Sequence, residues 1–392
     1  MENEGQITDP NSRFPFLTSR PVSRFSLLAS RIKPHIIFLL IALSVFYMFL
    51  LWGYHYVAAD FTDWYYPWRY NLVGKDNRNT YISNRSLGDP LFMFAPMDRL
   101  YNKQIKKGEL LLWNHRNLAG HPVYASHNRA FFYPPKIIAN YLFDYLSARD
   151  ITGILHLYLM AAFMYFFLRN LKISRFSSTA GGILWMLNSF VITRLEFGVD
   201  IYPLVYLPFI LWMIDKITDS GKILYAVGLA GAVGLCILSG HWQFAFYVFL
   251  MSAFYAVFRL SAKWRDAKTI PWKKGLTLLF TGILGIGLAA ICILPVIELL
   301  KHAERPQIGS LAQVFSFSRL LPENLLTLII PDLFGNPVHH FYFTGIKSGV
   351  QQYFELALYF GILPLFLSLA AIYSQKLKRT VFFFTHPQAS HY

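Results

Sequence analysis

The chain alternates between long apolar runs and polar segments punctuated by Gly and Pro. A membrane-spanning helix needs about 20 mostly apolar residues, because backbone N–H and C=O groups cannot stay unpaired in hydrocarbon. Eight runs meet or approach that length: 35–57, 150–168, 176–193, 199–215, 222–239, 241–259, 276–299 and 355–373. Ser239-Gly240-His241 joins the fifth and sixth as a tight turn. The first run is too long for a signal-peptide core and lacks a small-residue cleavage site, so it reads as a retained span. Between Asp89 and Lys107, Leu91, Phe94, Met97, Leu100, Tyr101 and Ile105 recur at helical spacing. That pattern predicts an amphipathic helix lying on the membrane surface.

Composition sharpens this picture: 55% hydrophobic, 18% aromatic and 15% charged residues exclude an ordinary soluble globule. The net charge of +15 would suggest nucleic acid in a soluble protein. Here it reports topology. With the N-terminus cytoplasmic, the inner segments 169–175 and 260–275 and the stretch from 374 collect Arg169, Lys172, Arg175, Lys263, Arg265, Lys268, Lys273, Lys274, Lys376, Lys378 and Arg379. The short outer connections near 194–198 and 239–241 hold Arg194 alone, which is the positive-inside arrangement. The chain is thus expected to be an all-α polytopic membrane protein of about eight transmembrane helices. Its expected parts are a cytoplasmic segment 1–34, a transmembrane domain 35–375 with outer loops 58–149 and 300–354, and a cytoplasmic tail 376–392. Cys236 and Cys292 sit inside apolar runs and offer neither a disulfide framework nor a metal-binding thiol pair.

Candidate chemistry begins where the first span ends, at Asp60-Phe-Thr-Asp-Trp-Tyr-Tyr-Pro-Trp68. Asp60 and Asp63 are three residues apart, so both can project from one helical face near the outer interface. A carboxylate there can take a proton from a hydroxyl nucleophile or hold a cation. Capping of an interfacial segment would use the same residues. Tyr65, Tyr66 and Trp68 suit a membrane interface, and equally a surface for sugar rings, with Arg69 pairing to phosphate. Further along the same loop, Trp113, Asn114, His121 and Tyr133 stand among tight Gly and Pro punctuation, which describes an ordered loop. His115, His121 and His127 recur every six residues, a spacing that matches no metal-ligand pattern. The histidines thus argue against a metal site there, and whether a divalent cation takes part elsewhere stays open. His241, Gln243, Glu196 and Asp200 face the same side as Asp60. Glu355 opens an apolar run, where helix capping alone explains it.

The order DFTDWYYPW, GELLLWN, AGHP, FFYPP, SGHWQ, PDLFGN and E-x-x-x-YFGILPL resembles the bacterial YfhO-like membrane protein family, grouped with the GT-C glycosyltransferases. The family's acidic loop motif falls on Asp60 and Asp63, its aromatic-proline tail on Tyr66, Pro67 and Trp68, and its later loop motif on Trp113, Asn114, Gly120 and Pro122. Leu111 and His115 stand where the pattern often has proline. Family members usually continue with more spans, so the chain resembles their N-terminal part and its tail is consistent with truncation. The resemblance implies a bacterial cytoplasmic-membrane enzyme that moves a sugar from a polyprenyl-phosphate carrier to a cell-envelope polymer or lipid acceptor. Asp60 or Asp63 would act as general base, with Tyr65, Tyr66, Trp68, Arg69, Trp113, Asn114, His121, His241 and Gln243 binding substrate and no nucleic acid involved. The alternatives are a transporter or flippase of lipid-linked intermediates, or an inactive truncated membrane subunit. The absence of a P-loop, a dinucleotide fingerprint and a nucleophile elbow takes support from ATP-driven, nicotinamide and serine-hydrolase readings.

Overall fold

Long apolar runs here become helices whose ends are set by caps and glycines. The computed structural model describes residues 24–57, 59, 62, 65, 88–116, 119–125, 129–302, 321–336, 341–342 and 353–373. The first run forms α1 (Arg24–Val45) and, past a break at Phe46, the short α2 (Tyr47–Trp52), which Gly53 ends in the left-handed region at φ 69°. A π-helical turn, Pro90–Phe94, leads into α3 (Ala95–Ile105), and α4 covers Pro134–Leu142. The Asp144 carboxylate accepts from Leu146 N and Ser147 N and so starts α5 (Tyr145–Asn170). Ser174 caps α6 (Arg175–Met186), and Asn188 restarts the chain as α7 (Ser189–Ile192). Two 3-10 turns, Leu195–Phe197 and Val199–Ile201, precede α8 (Tyr202–Ser220). There follow α9 (Ile223–Leu238), α10 (Trp242–Ala267), α11 (Trp272–Leu288), α12 (Ala290–His302) and α13 (Ile362–Tyr373).

The architecture is all-α apart from two short antiparallel strand pairs among the described residues. Three helical stretches, Tyr145–Asn170, Val199–Ser220 and Trp242–Ala267, are long and apolar enough to cross a membrane. A fourth arises if α11 and α12 count as one, although they bend by 71° at their junction. Ile32–Val45, α9 and Ile362–Ala371 are shorter apolar helices.

Helix α8 is the axle of the bundle: it packs against α5, α9, α10 and α11, while α5 also carries α1, α4 and α6. The core joins Phe38 and Ala42 of α1, Leu157 and Met160 of α5, Val205, Ile210 and Ile217 of α8, Val233 and Cys236 of α9, and Val248 of α10. Helices α9 and α11 approach closely through glycine. A Cβ on Gly285 would lie 2.5 Å from Val233 Cβ and 2.8 Å from the Ala230 carbonyl. Small residues at a helix contact are what packing in a bilayer selects, because lipid supplies no hydrophobic drive between helices. Phe254 and Val257 of α10, Phe280 and Leu284 of α11, and Leu363 and Phe366 of α13 instead face outward. That apolar exterior suits lipid contact, not water.

The expected amphipathic helix exists, but protein covers its apolar face. Tyr101 and Ile105 pack with Leu111, Val123 and Phe131 in a small second core, and Tyr101 Oη donates to the Phe131 carbonyl at 2.7 Å. Phe92 and Met93 stay exposed at the helix start.

Candidate functional site

The loop between α2 and α5 is fixed by local chemistry at several points. Trp113–Asn114 pairs antiparallel with His121–Pro122, in the register Trp113 to Pro122 and Asn114 to His121. Gly120 turns the chain back at φ 91°, and a Cβ there would lie 2.3 Å from Trp113 Nε1. Asn114 is buried and its Oδ1 accepts from Arg116 N at 2.9 Å, a turn-stabilising bond, while Trp113 is exposed. The hairpin thus brings together three of the residues expected to bind substrate, Trp113, Asn114 and His121.

Two contacts bracket the acidic segment. His55 Nδ1 lies 2.7 Å from Asp150 Oδ2 on α5. Ten residues on, the Tyr65 ring meets Phe92 edge to face at 4.8 Å between centroids. Between them Thr62 Oγ1 donates to the Ala59 carbonyl and Tyr65 N to the Thr62 carbonyl. Asp60, Asp63, Tyr66, Trp68 and Arg69 lie outside the described residues.

His241 and Gln243 diverge. His241 stacks on Phe244 at 4.2 Å, and its Nε2 lies 3.8 Å from Asp200 Oδ1. Gln243 Nε2 donates along the helix to Tyr247 Oη at 2.8 Å. Beside His241, buried Arg194 donates to the Phe354 carbonyl at 2.6 Å and lies 3.3 Å from Glu355 Oε2, with its guanidinium 3.8 Å above the Phe190 ring. This corrects the capping role expected of Glu355. It sits in the 3-10 turn Tyr353–Glu355, seven residues before α13 begins, and serves as a counter-ion.

A polar cleft at this end of the bundle was not expected. Asp98 of α3, Arg129, and Lys136 and Asn140 of α4 meet Tyr145, Arg149 and Thr152 of α5 and the stretch 197–202 around a cleft with about 350 Å³ of empty volume. Asp98 forms an ion pair with Arg129 Nη2 and accepts from Lys136 Nζ at 2.8 Å, and Lys136 also donates to the Arg129 carbonyl at 2.6 Å. All three side chains are buried. Burial opposes ionisation of Asp98, yet Arg129 and Lys136 together outweigh it and hold the carboxyl below its ordinary range. Burial pulls the Lys136 ammonium down to about 8 against the attraction of Asp98. The signal that could have found this group was a charged residue among apolar neighbours, such as Lys136 in PPKIIANYL.

Deeper in the bundle, His156 Nδ1 donates to the Thr152 carbonyl at 2.6 Å, so its Nε2 accepts from Tyr133 Oη at 2.8 Å. Tyr133 Oη in turn lies 2.7 Å from Tyr206 Oη, and the imidazole stacks on Tyr202 at 3.7 Å. At the opposite end, Asp215 of α8 binds Arg259 Nε at 2.7 Å and Tyr255 Oη at 2.8 Å. The bundle interior is therefore less free of charge than its hydropathy suggests, and Asp215 and Arg259 are paired near the ends of their helices. Among the described residues no group of three or more His, Cys, Asp or Glu side chains is placed to hold a metal ion.

A family model described as bacterial membrane protein YfhO matches residues 140–384. No curated protein and no solved structure matches the chain.

Proposed function

Since the chain belongs to the YfhO family of bacterial membrane proteins, we propose that it is a membrane glycosyltransferase of the GT-C type. It moves a sugar from a polyprenyl-phosphate carrier to a cell-envelope polymer or lipid acceptor outside the cytoplasmic membrane. In this reading the N-terminus is cytoplasmic, about eight spans cross the membrane, and the end bearing residues 88–143 faces outward. One observation carries most of the support. His55 on Asp150 and Tyr65 on Phe92 tie both flanks of the segment holding Asp60 and Asp63 to the same end of the bundle as His241 and Asp200.

The chemistry is a single displacement. Asp60 or Asp63 takes the proton of the acceptor hydroxyl as its oxygen bonds to the anomeric carbon. The bond from that carbon to the phosphate oxygen breaks, its electrons leave with the lipid phosphate, and a basic side chain or a cation stabilises the departing charge. Attack opposite the leaving group inverts the anomeric centre. Tyr65, Tyr66, Trp68 and Trp113 offer aromatic faces to the sugar.

A flippase is the rival from another class. Such proteins place ionisable groups near the membrane midplane and often carry repeated halves. Incubating the purified protein with radiolabelled polyprenyl-phosphate sugar and envelope fractions separates the two. Label appearing on the acceptor supports transfer. Sugar-lipid that crosses the bilayer uncleaved contradicts it.

A further inference from the structure

We infer that the cleft between α3, α4, the first turns of α5 and residues 197–202 is an oxyanion site, in which Arg129 and Arg149 grip the phosphate of a lipid phosphate. The lipid source rests on the proposed function; the anion chemistry does not. Arg129 is 5% exposed and engages Asp98 through Nη2. Its guanidinium lies 4.1 Å over the Phe94 ring, and its Nε and Nη1 are buried with no hydrogen-bond partner among the described residues, as are Nε and Nη2 of Arg149. Buried polar atoms are almost always partnered, so four such nitrogens on two side chains lining one cleft mark the place of a missing acceptor. A guanidinium always carries its charge and presents a planar fork of donors, the shape that matches paired phosphate oxygens.

The charges agree. Arg129, Lys136 and Arg149 line the cleft against one carboxylate, Asp98, which Arg129 and Lys136 already occupy. Glu196 and Asp200 act on Arg149 and Arg129 from outside the lining.

Helix α4 argues for a lipid over a free ion. Lys136 and Asn140, four residues apart, turn inward to the cleft, while Ile138, Tyr141 and Leu142 on the same helix are exposed at 59%, 60% and 61%. An anion-binding face backed by an apolar one fits a phosphate carried on a hydrocarbon chain.

The test uses the full chain in nanodiscs and measures binding of polyprenyl monophosphate, with unphosphorylated polyprenol and inorganic phosphate in parallel. The lipid phosphate binds, polyprenol binds at least about tenfold more weakly, and Arg149→Gln weakens the lipid phosphate by about tenfold to a hundredfold, while Arg149→Lys recovers part of it. Equal binding of polyprenol, or unchanged binding by Arg149→Gln, overturns the site. Inorganic phosphate binding as tightly as the lipid overturns the lipid source. Should Arg149→Gln fail to fold, the ³¹P resonance of lipid phosphate on the unaltered protein decides: a shifted resonance that sulfate displaces supports the site, and an unshifted one overturns it. Binding without sugar transfer leaves the site standing and defeats the proposed function. Transfer that ignores Arg149→Gln does the reverse.

Discussion

His55 Nδ1 sits 2.7 Å from Asp150 Oδ2, and this contact ties the exit of the first helix to the start of α5 across 95 residues. Asp150 is 1% exposed, whereas His55 remains partly open at 23%. The contact thus holds the segment after α2 against the bundle together with Tyr56, whose Oη donates to the Val45 carbonyl at 3.3 Å.

His55→Ala strands that buried carboxylate and costs about 1–3 kcal/mol of stability. Asp150→Asn keeps a hydrogen-bonding partner and costs less. Thermal unfolding in detergent orders the two variants, and transfer activity is expected to fall more for His55→Ala because the adjoining acidic segment loses its anchor.

Gly120 sets the hairpin that presents Trp113. Gly120→Ala meets both a positive φ and the indole, so it costs about 2 kcal/mol or more and loosens residues 109–125. Gly108→Ala is the control. It has a positive φ too, yet nothing lies within 4 Å of the added carbon, so it pays the backbone cost alone. Limited proteolysis of the loop distinguishes them.

Acid acts on the cluster around Asp98. Its carboxyl is depressed below the ordinary 3.8, because Arg129 and Lys136 prevail over burial. The unfolded chain therefore binds the proton more readily than the folded one. The stabilisation from Asp98 is complete above 3.8 and is lost as pH falls through the depressed value. Hydrogen exchange over 95–105 and 134–142 accelerates along that descent, and Asp98→Asn flattens the dependence.

Hydropathy made the spans legible because bilayer thickness imposes length on them. The runs 150–168, 199–215 and 241–259 are the cores of α5, α8 and α10, each extended by polar ends that a hydropathy run omits. Breaks were harder to read. Asn188 caps a new helix inside the run 176–193, and the run 276–299 bends by 71° near Gly285 and Gly287. The first is a local cap, Asn188 Oδ1 accepting from Val191 N at 3.1 Å, which a hydropathy window does not register. In the site, the Trp113 hairpin was visible in its Gly and Pro punctuation. The pairs Asp98–Arg129, Arg194–Glu355 and His55–Asp150 join residues 31, 161 and 95 positions apart, and local pattern carries no trace of them.

Transfer by the aspartate variants tests the account most directly. Asp60→Asn and Asp63→Asn, each shown to insert and to match the unaltered protein in size exclusion, are given radiolabelled polyprenyl-phosphate sugar and envelope acceptor. The account predicts that one of them loses at least about a hundredfold in rate, the contribution of a general base. If both label the acceptor at the rate of the unaltered protein, the aspartates are not the base and the account is contradicted.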